Sequence, residues 1–300
     1  MNFGTIQVAN IFVGTLNAIE AYFGNEKVWG KSEPATGDWL CFTAEEANST
    51  VAMKKNGSAP TVSLEYSPDG NTWSPFVVGS TTVTLANIGD KMYMRATDAG
   101  NTEICKSYFA YNQFVMSGKI AASGNVDTLL DQNGNATLTE WCYLNMFLEC
   151  TSLTTAPNLP ATTLASHCYN SMFKDCKSLI TAHELPATTL ANYCYANMFS
   201  GCSSLTSAPE LPATTLADYC YNRMFYNCSS LTTAPELPAT TLASNCYYSM
   251  FNDCTSLTTA PELPATELAI SCYENMFNGC TSLTTAPVLP ATTLANNCYK

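Results

Sequence analysis

Beyond residue 141 the apolar positions recur at a fixed interval. Cys-Tyr begins at Cys142, Cys168, Cys194, Cys220, Cys246, Cys272 and Cys298, every 26 residues. A second cysteine follows each of the first six by eight residues, from Cys150 to Cys280, with Met-Phe between them. Leucines hold three further slots, Leu153, Leu159 and Leu164 in the first unit and Leu283, Leu289 and Leu294 in the last full one. A unit of this size cannot bury its own apolar face, so neighbouring units must stack and share a ladder of Leu, Met, Phe and Cys. If a short strand in each coil pairs with the next, the coils lie ~4.8 Å apart and six intervals span roughly 30 Å. Ser-Leu-Thr-Thr-Ala-Pro-Glu-Leu-Pro reads as that strand, its prolines ending it or falling where no ladder donor is needed. Thr-Leu-Ala-x-x-Cys-Tyr-x-x-Met-Phe spaces its apolar residues by four, as in Leu216, Cys220 and Met224. It reads as a short helix or turn on the opposite side, with its threonine as cap.

The first half patterns differently. Phe23–Trp29 reads as a hairpin around Gly24-Asn25. Residues 38–118 alternate apolar and polar positions in short runs, among them Trp39–Phe42, Thr61–Tyr66, Thr81–Leu85 and Lys91–Ala96. Some seven strands with frequent turns fit an immunoglobulin-like or fibronectin-like β-sandwich. Ser67–Trp73 resembles the Asp-box turn of sialidase-type propellers but is one residue short and occurs once, so it reads as a hairpin turn packing Trp73. The expected organisation is β-rich and multidomain. Residues 1–36 form an anchoring segment, 37–118 the sandwich, and 119–141 a linker whose Leu129, Leu130 and Trp141 cap the repeats. Residues 142–300 form six full units and a partial seventh, with parallel short strands.

Met-Phe-x-x-Cys-x-Ser-Leu-Thr, clearest at Gly201-Cys202-Ser203-Ser204-Leu205 and Gly279-Cys280-Thr281-Ser282-Leu283, resembles the BspA-type leucine-rich repeat. The resemblance covers 142–300, six times in register. It implies a solenoid whose cysteine columns stand where other leucine-rich repeats carry an asparagine ladder. It also implies a binding role toward matrix, host cells or other microbes, not catalysis. The opening of the chain, through Ile6–Gly14 and Ala21–Gly30, is similar to the starts of structural proteins from phages of gut Bacteroidales. That implies an anchor to a virion, while an ordinary edge hairpin reads equally well.

Charge narrows the partners. The chain carries 24 acids against 12 bases, a net charge of −12, and no basic cluster beyond Lys54-Lys55. Nucleic acid and anionic membranes are therefore excluded as expected partners. No apolar run approaches a membrane span, and Met1-Asn2-Phe3-Gly4 has no signal-peptide character. The expectation is a mature start at Met1 or release by another route, such as phage assembly and lysis. The final unit stops mid-coil at Lys300 without the polar cap that solenoids need. The chain is truncated there, another chain covers it, or the last coil frays.

Thirteen of the fifteen cysteines belong to the lattice, whose eight-residue spacing is not a zinc pattern. They read as small buried hydrophobes rather than disulfides. His167 and His183 sit in different slots, each beside lattice cysteines only. Glu184, Glu210, Glu236 and Glu262 read as a solvated column. Asp131–Asn135 is a turn without the spaced acids of a calcium loop. No catalytic, cofactor or metal residue emerges. Between units the sequence varies around Cys-Tyr and Met-Phe, which marks His167, Tyr193, Tyr219, Arg223, Tyr226 and Tyr248 as candidate partner-binding residues. Drift at unconstrained positions gives the same pattern. The expected function is a non-enzymatic virion surface protein, in a tail, head fibre or baseplate, that recognises or adheres to the host. Residues 1–118 would hold other virion proteins, and the repeats a host glycan or protein. A bacterial cell-surface adhesin and a purely structural decoration protein are the alternatives, and a homo-oligomer is left open.

Overall fold

The computed structural model describes residues 37–300 and, before them, the backbone of three short strands. Residues 1–37 and 38–300 form separate compact units. In the first, β1 (Gln7–Val8), β2 (Ala21–Phe23) and β3 (Glu26–Trp29) make an antiparallel sheet in that order. Phe23 lies opposite Glu26, and the expected Gly24-Asn25 turn lies outside the described residues. The rest of the expected anchoring segment lies outside the described residues.

The second unit is β-rich. Its strands are β4 (Leu40–Ala44), β5 (Ser49–Asn56), β6 (Leu64–Ser67), β7 (Ser74–Phe76), β8 (Thr82–Leu85), β9 (Lys91–Ala96), β10 (Cys105–Ser107), β11 (Ala110–Ser117), β12 (Ile120–Ser123) and β13 (Leu153–Thr155). They form a four-stranded sheet, β10-β11-β5-β8, and a six-stranded one, β13-β12-β4-β9-β6-β7, neither closed into a barrel. Alternate residues point inward, as Ser49, Val51 and Met53 do on β5 and Met92, Met94 and Ala96 on β9. The inner faces meet where Phe42 of β4 packs edge-on against Phe114 of β11, ring centroids 5.0 Å apart. Ser67–Trp73 is the turn between β6 and β7. Asp69 Oδ1 accepts from the Asn71 and Thr72 amides, and Trp73 packs against Trp39 and the Arg95 guanidinium.

Residues 119–141, expected as a linker, supply β12 to the six-stranded sheet and a 3₁₀ turn over Val126–Leu129. The reason is hydrogen bonding. Each 26-residue coil needs donors against its carbonyls, and the sheets supply them to the first coil. Cys105, Phe114, Ile120 and Val126 donate backbone N–H groups to the carbonyls of Cys142, Met146, Ser152 and Asn158. The Phe114 ring stacks on Phe147, at 4.8 Å. One core therefore runs from the sheets into the repeats without a break.

The repeats stack coil on coil, and two expectations change. The segment read as a short helix or turn is a ribbon of consecutive turns. Along 141–150, even-numbered residues donate to the carbonyl three back, as Leu144 does to Trp141. Odd-numbered residues donate to the next coil, as Tyr143 does to Cys168 and Phe147 to Met172. Every fourth residue is left-handed, with φ of 66° at Trp141, 57° at Asn145 and 59° at Glu149, and the later coils repeat this. A helix would keep all its hydrogen bonds within one coil, whereas the ribbon gives half of them to its neighbour. The segment read as a strand shrinks to single parallel bridges, at Thr155–Thr181, Ser207–Thr233 and Thr233–Thr259, and only β13 is longer. The prolines that follow have no N–H with which to extend the ladder.

Inside the stack, like residues lie over like. Tyr143, Tyr169, Tyr195, Tyr221, Tyr247, Tyr273 and Tyr299 form a column of near-parallel rings 5.6–5.9 Å apart. Phe147 to Phe277 form a second, at 5.2–5.9 Å. Spacings above the ~4.8 Å coil repeat are those of offset stacking. The Met, Cys and first two Leu columns are buried from the first coil to Leu263.

The cysteines do more than fill space. The second thiol of each coil donates to a phenylalanine carbonyl of the preceding coil, Cys202 to Phe173 and Cys228 to Phe199 at 3.1 Å. In the first coil Cys150 donates to Phe114. All fifteen cysteines are free and buried. Burial pushes the Cys142, Cys150, Cys220 and Cys254 thiols up to about 12, against an ordinary 9.0. Since the thiolate is the reactive species, Ellman's reagent at pH 8 should label few of them in the native protein and all fifteen in urea. Rapid native labelling of most of them would contradict this packing.

Candidate functional site

The turn ribbon carries its variable residues on the outside, and three of the candidates stand in one row. Trp141, His167, Tyr193 and Tyr219 occupy the same position in successive coils, just before the Cys-Tyr pair. Their rings stack nearly parallel, with centroids 3.6, 4.6 and 4.4 Å apart, and all four are half-buried. Tyr108, after β10, closes the first end edge-on against Trp141, at 4.9 Å. Trp141, expected as part of the cap, is thus the first rung of an outer aromatic row. The signal was present in the sequence, as rings at 141, 167, 193 and 219 separated by the repeat length.

This row sits on backbone that does not favour it. All four residues are left-handed, with φ of 66°, 58°, 56° and 58°. Bulky side chains there cost on the order of 1–3 kcal/mol each. The same position in later coils holds Asn245, Ser271 and Asn297, and Asn tolerates this conformation.

His167 lies between Trp141 and Tyr193. Burial lowers its pKa and the Glu140 carboxylate opposes the shift, so the ring is neutral at pH 7. The Asn170 amide donates to the Tyr108 hydroxyl at 3.0 Å and lies 3.4 Å from His167 Nδ1. An amide donating to Nδ1 leaves the ring proton on Nε2. Burial, then the neighbouring Tyr219, raises the Tyr193 hydroxyl.

Arg223, Tyr226 and Tyr248 form a second group on the same ribbon. The guanidinium carbon lies 5.7 Å from the Tyr226 ring and 5.5 Å from that of Tyr248, within cation–π range. Arg223 is exposed and left-handed, with φ of 52°. Tyr226 also borders an open groove of about 250 Å³. On the far side of the coils, Glu184, Glu210, Glu236 and Glu262 are exposed. Shallow grooves lie there between successive Pro-Glu-Leu-Pro segments.

Chemically, the ribbon offers ring edges, one guanidinium, ammonium and carboxylate groups, amides and hydroxyls. Among the described residues no cluster of His, Cys, Asp and Glu could hold a metal ion, and no helix is long and apolar enough to cross a membrane. No known protein family, curated protein or solved structure matches the chain.

Proposed function

We propose that this protein is a non-enzymatic recognition protein of a virion surface, from a phage of gut Bacteroidales, that contacts its host through the turn ribbon of the repeats. In this reading the coil stack is a BspA-like leucine-rich-repeat solenoid and residues 37–118 an immunoglobulin-like sandwich. Residues 1–118 face other virion proteins. The observation that carries the reading is the row Trp141, His167, Tyr193 and Tyr219. Four large rings occupy backbone where a small polar residue is cheaper, and they stay half-exposed. Strain of this kind gathers where a surface is used, and tryptophan and tyrosine are enriched among the anchors of interfaces.

The test exploits the later coils. Asn stands at this position in Asn245 and Asn297, so the double variant Tyr193→Asn/Tyr219→Asn removes two rings while easing the backbone. Thermal stability should be unchanged or slightly higher. Attachment of the purified protein to host cells should weaken roughly thirtyfold, the scale of a ~2 kcal/mol hot spot. Unchanged attachment would remove the row from recognition. Mass spectrometry of purified virions should find the chain, and finding it only in bacterial outer membranes would reassign it to an adhesin of the cell surface.

A further inference from the structure

The open groove beside Tyr226 is built by three consecutive coils in three columns. Lys174, Ser200 and Tyr226 form one column, Asp175, Gly201 and Asn227 the next, and Asn197 and Arg223 a third. Its volume, about 250 Å³, lies below the ~300–1,000 Å³ of sites for drug-sized ligands. It suits one small polar unit of a longer chain.

Three features give the groove its chemistry. First, only four bases follow residue 141, namely Lys174, Lys177, Arg223 and Lys300. Two of them line this groove, in a chain of net charge −12. Among the described residues neither is ion-paired, the pairs there being Arg95–Glu65 and Lys300–Glu274. Second, among the described residues none of the groove's polar side chains hydrogen-bonds to protein, whereas Asn170, Asn192 and Asp218 on the same ribbon do. Third, glycine stands at 201 and 279 in a column that otherwise reads Glu149, Asp175, Asn227 and Asp253, and Gly201 is the one in the groove. A Cβ on Gly201 would collide with Asp175 Oδ1, as one on Gly279 would with Asp253 Oδ1, so the glycine leaves room for the Asp175 carboxylate that lines the groove. The Tyr226 and Tyr248 rings flank the guanidinium and leave its N–H fork free.

We infer that this groove is a subsite for one acidic sugar unit of a surface polysaccharide. The Arg223 fork and the Lys174 ammonium take its carboxylate or sulfate. Asp175, Asn197 and Asn227 take its hydroxyls, and the Tyr226 ring meets its C–H face. A guanidinium matches a planar or tripodal oxyanion in bidentate geometry. Amides and a carboxylate suit several hydroxyls. The groove lacks the apolar centre that a peptide hot spot needs. The inference rests on the recognition reading above and names its ligand.

Calorimetry on the purified full chain tests it with five probes. These are a glucuronic-acid-containing hexasaccharide, a sulfated dextran oligomer, neutral dextran, sodium sulfate and poly-glutamate. One or both acidic saccharides should bind and weaken as salt rises, with neutral dextran silent. Arg223→Ala and Lys174→Ala should each reduce affinity about tenfold or more, the loss of one charge-assisted bond. Arg223→Lys should also weaken binding, because it keeps the charge and loses the fork. Circular dichroism and melting should be unchanged in all three. Preferential binding of poly-glutamate overturns the proposal in favour of an acidic peptide, and equal competition by sulfate reduces the groove to an anion site. Silence of both saccharides, or variants that bind as well as the parent, overturns it outright. Host attachment that is lost in the Tyr193/Tyr219 variant and kept in Arg223→Ala would leave recognition standing and dismiss the groove alone.

Discussion

Replacing Phe199 with Ala should destabilise the protein by about 3–5 kcal/mol, the cost of emptying an aromatic site in a packed core. Phe199 lies inside its column, 5.6 Å from Phe173 and 5.8 Å from Phe225, and is fully buried. Removing the ring takes a packing partner from both neighbours at once. In a stack held by nearest-neighbour contacts, that weakens two interfaces and no others. Phe199→Leu keeps most of the buried area and loses two stacked pairs, so it should cost only about 1–3 kcal/mol, at ~0.5–1.5 per aromatic pair. Urea unfolding followed by tyrosine fluorescence and by circular dichroism reads both. Because the defect is local, the alanine variant should also broaden the transition and lower its apparent m-value, as coils on either side lose cooperativity. A loss below about 1 kcal/mol, with a sharp transition, would mean that the column is not what holds the coils together.

The second large effect concerns Asp127, buried where the tyrosine column meets the sheets. Its carboxylate accepts from the Tyr143 hydroxyl at 3.0 Å. Burial raises its pKa from 3.8 to about 6, and the Tyr143 hydrogen bond opposes this only in part. Well below pH 4 the carboxyl is neutral in both the folded and the unfolded chain, and it costs nothing. Between about pH 4 and pH 6 the folded protein holds a proton that the unfolded chain has released, so stability falls as pH rises. Above that window the loss is complete, at ~3 kcal/mol for two pKa units. Asp127→Asn keeps an acceptor for Tyr143 and cannot ionise. The stability difference between variant and parent should therefore shift in the variant's favour by ~3 kcal/mol between pH 4 and pH 8. All other groups titrate alike in the two proteins and cancel. Differences that are flat across that range would show that the carboxylate is solvated.

The spacing of Cys142, Met146 and Cys150 made the repeat legible and named most of its inner face, because stacking demands the same apolar residue at the same place in every unit. What stayed hidden was the backbone that delivers it. A helix returns to the same face every 3.6 residues, and a ribbon of four-residue turns returns every four. Leu216, Cys220 and Met224 satisfy both. The sign of the ribbon lies between them, at Asn145, Asp175, Asn197, Asn227, Asn245, Asp253 and Asn275, residues that adopt positive φ more readily than others. The tyrosine of Cys-Tyr was similarly ambiguous, since its hydroxyl fits a surface as well as a core. The stack buries it, leaving the Tyr169 and Tyr195 hydroxyls without protein partners. The six candidate residues were named for their variability alone. That three of them stack, and that among the other three two rings flank a guanidinium, depends on coil-to-coil distances that no single unit contains. The groove around Lys174 and Gly201 spans three coils and was invisible for the same reason.

The direction of the hydrogen bonds between coils has its own consequence. Along the turn ribbon, every coil offers N–H groups to the one that follows it in the chain and receives them from the one before, with the sheets standing first in line. The ribbon therefore has a polarity like that of a growing filament, with each finished layer a template for the next. On a ribosome this polarity coincides with the order of synthesis. The sheets emerge first, and each later layer meets a complete template made of chain already released, with no distant segment to wait for. Assembly can then proceed vectorially during translation, one layer at a time, with a single unsatisfied surface that moves forward as the chain lengthens.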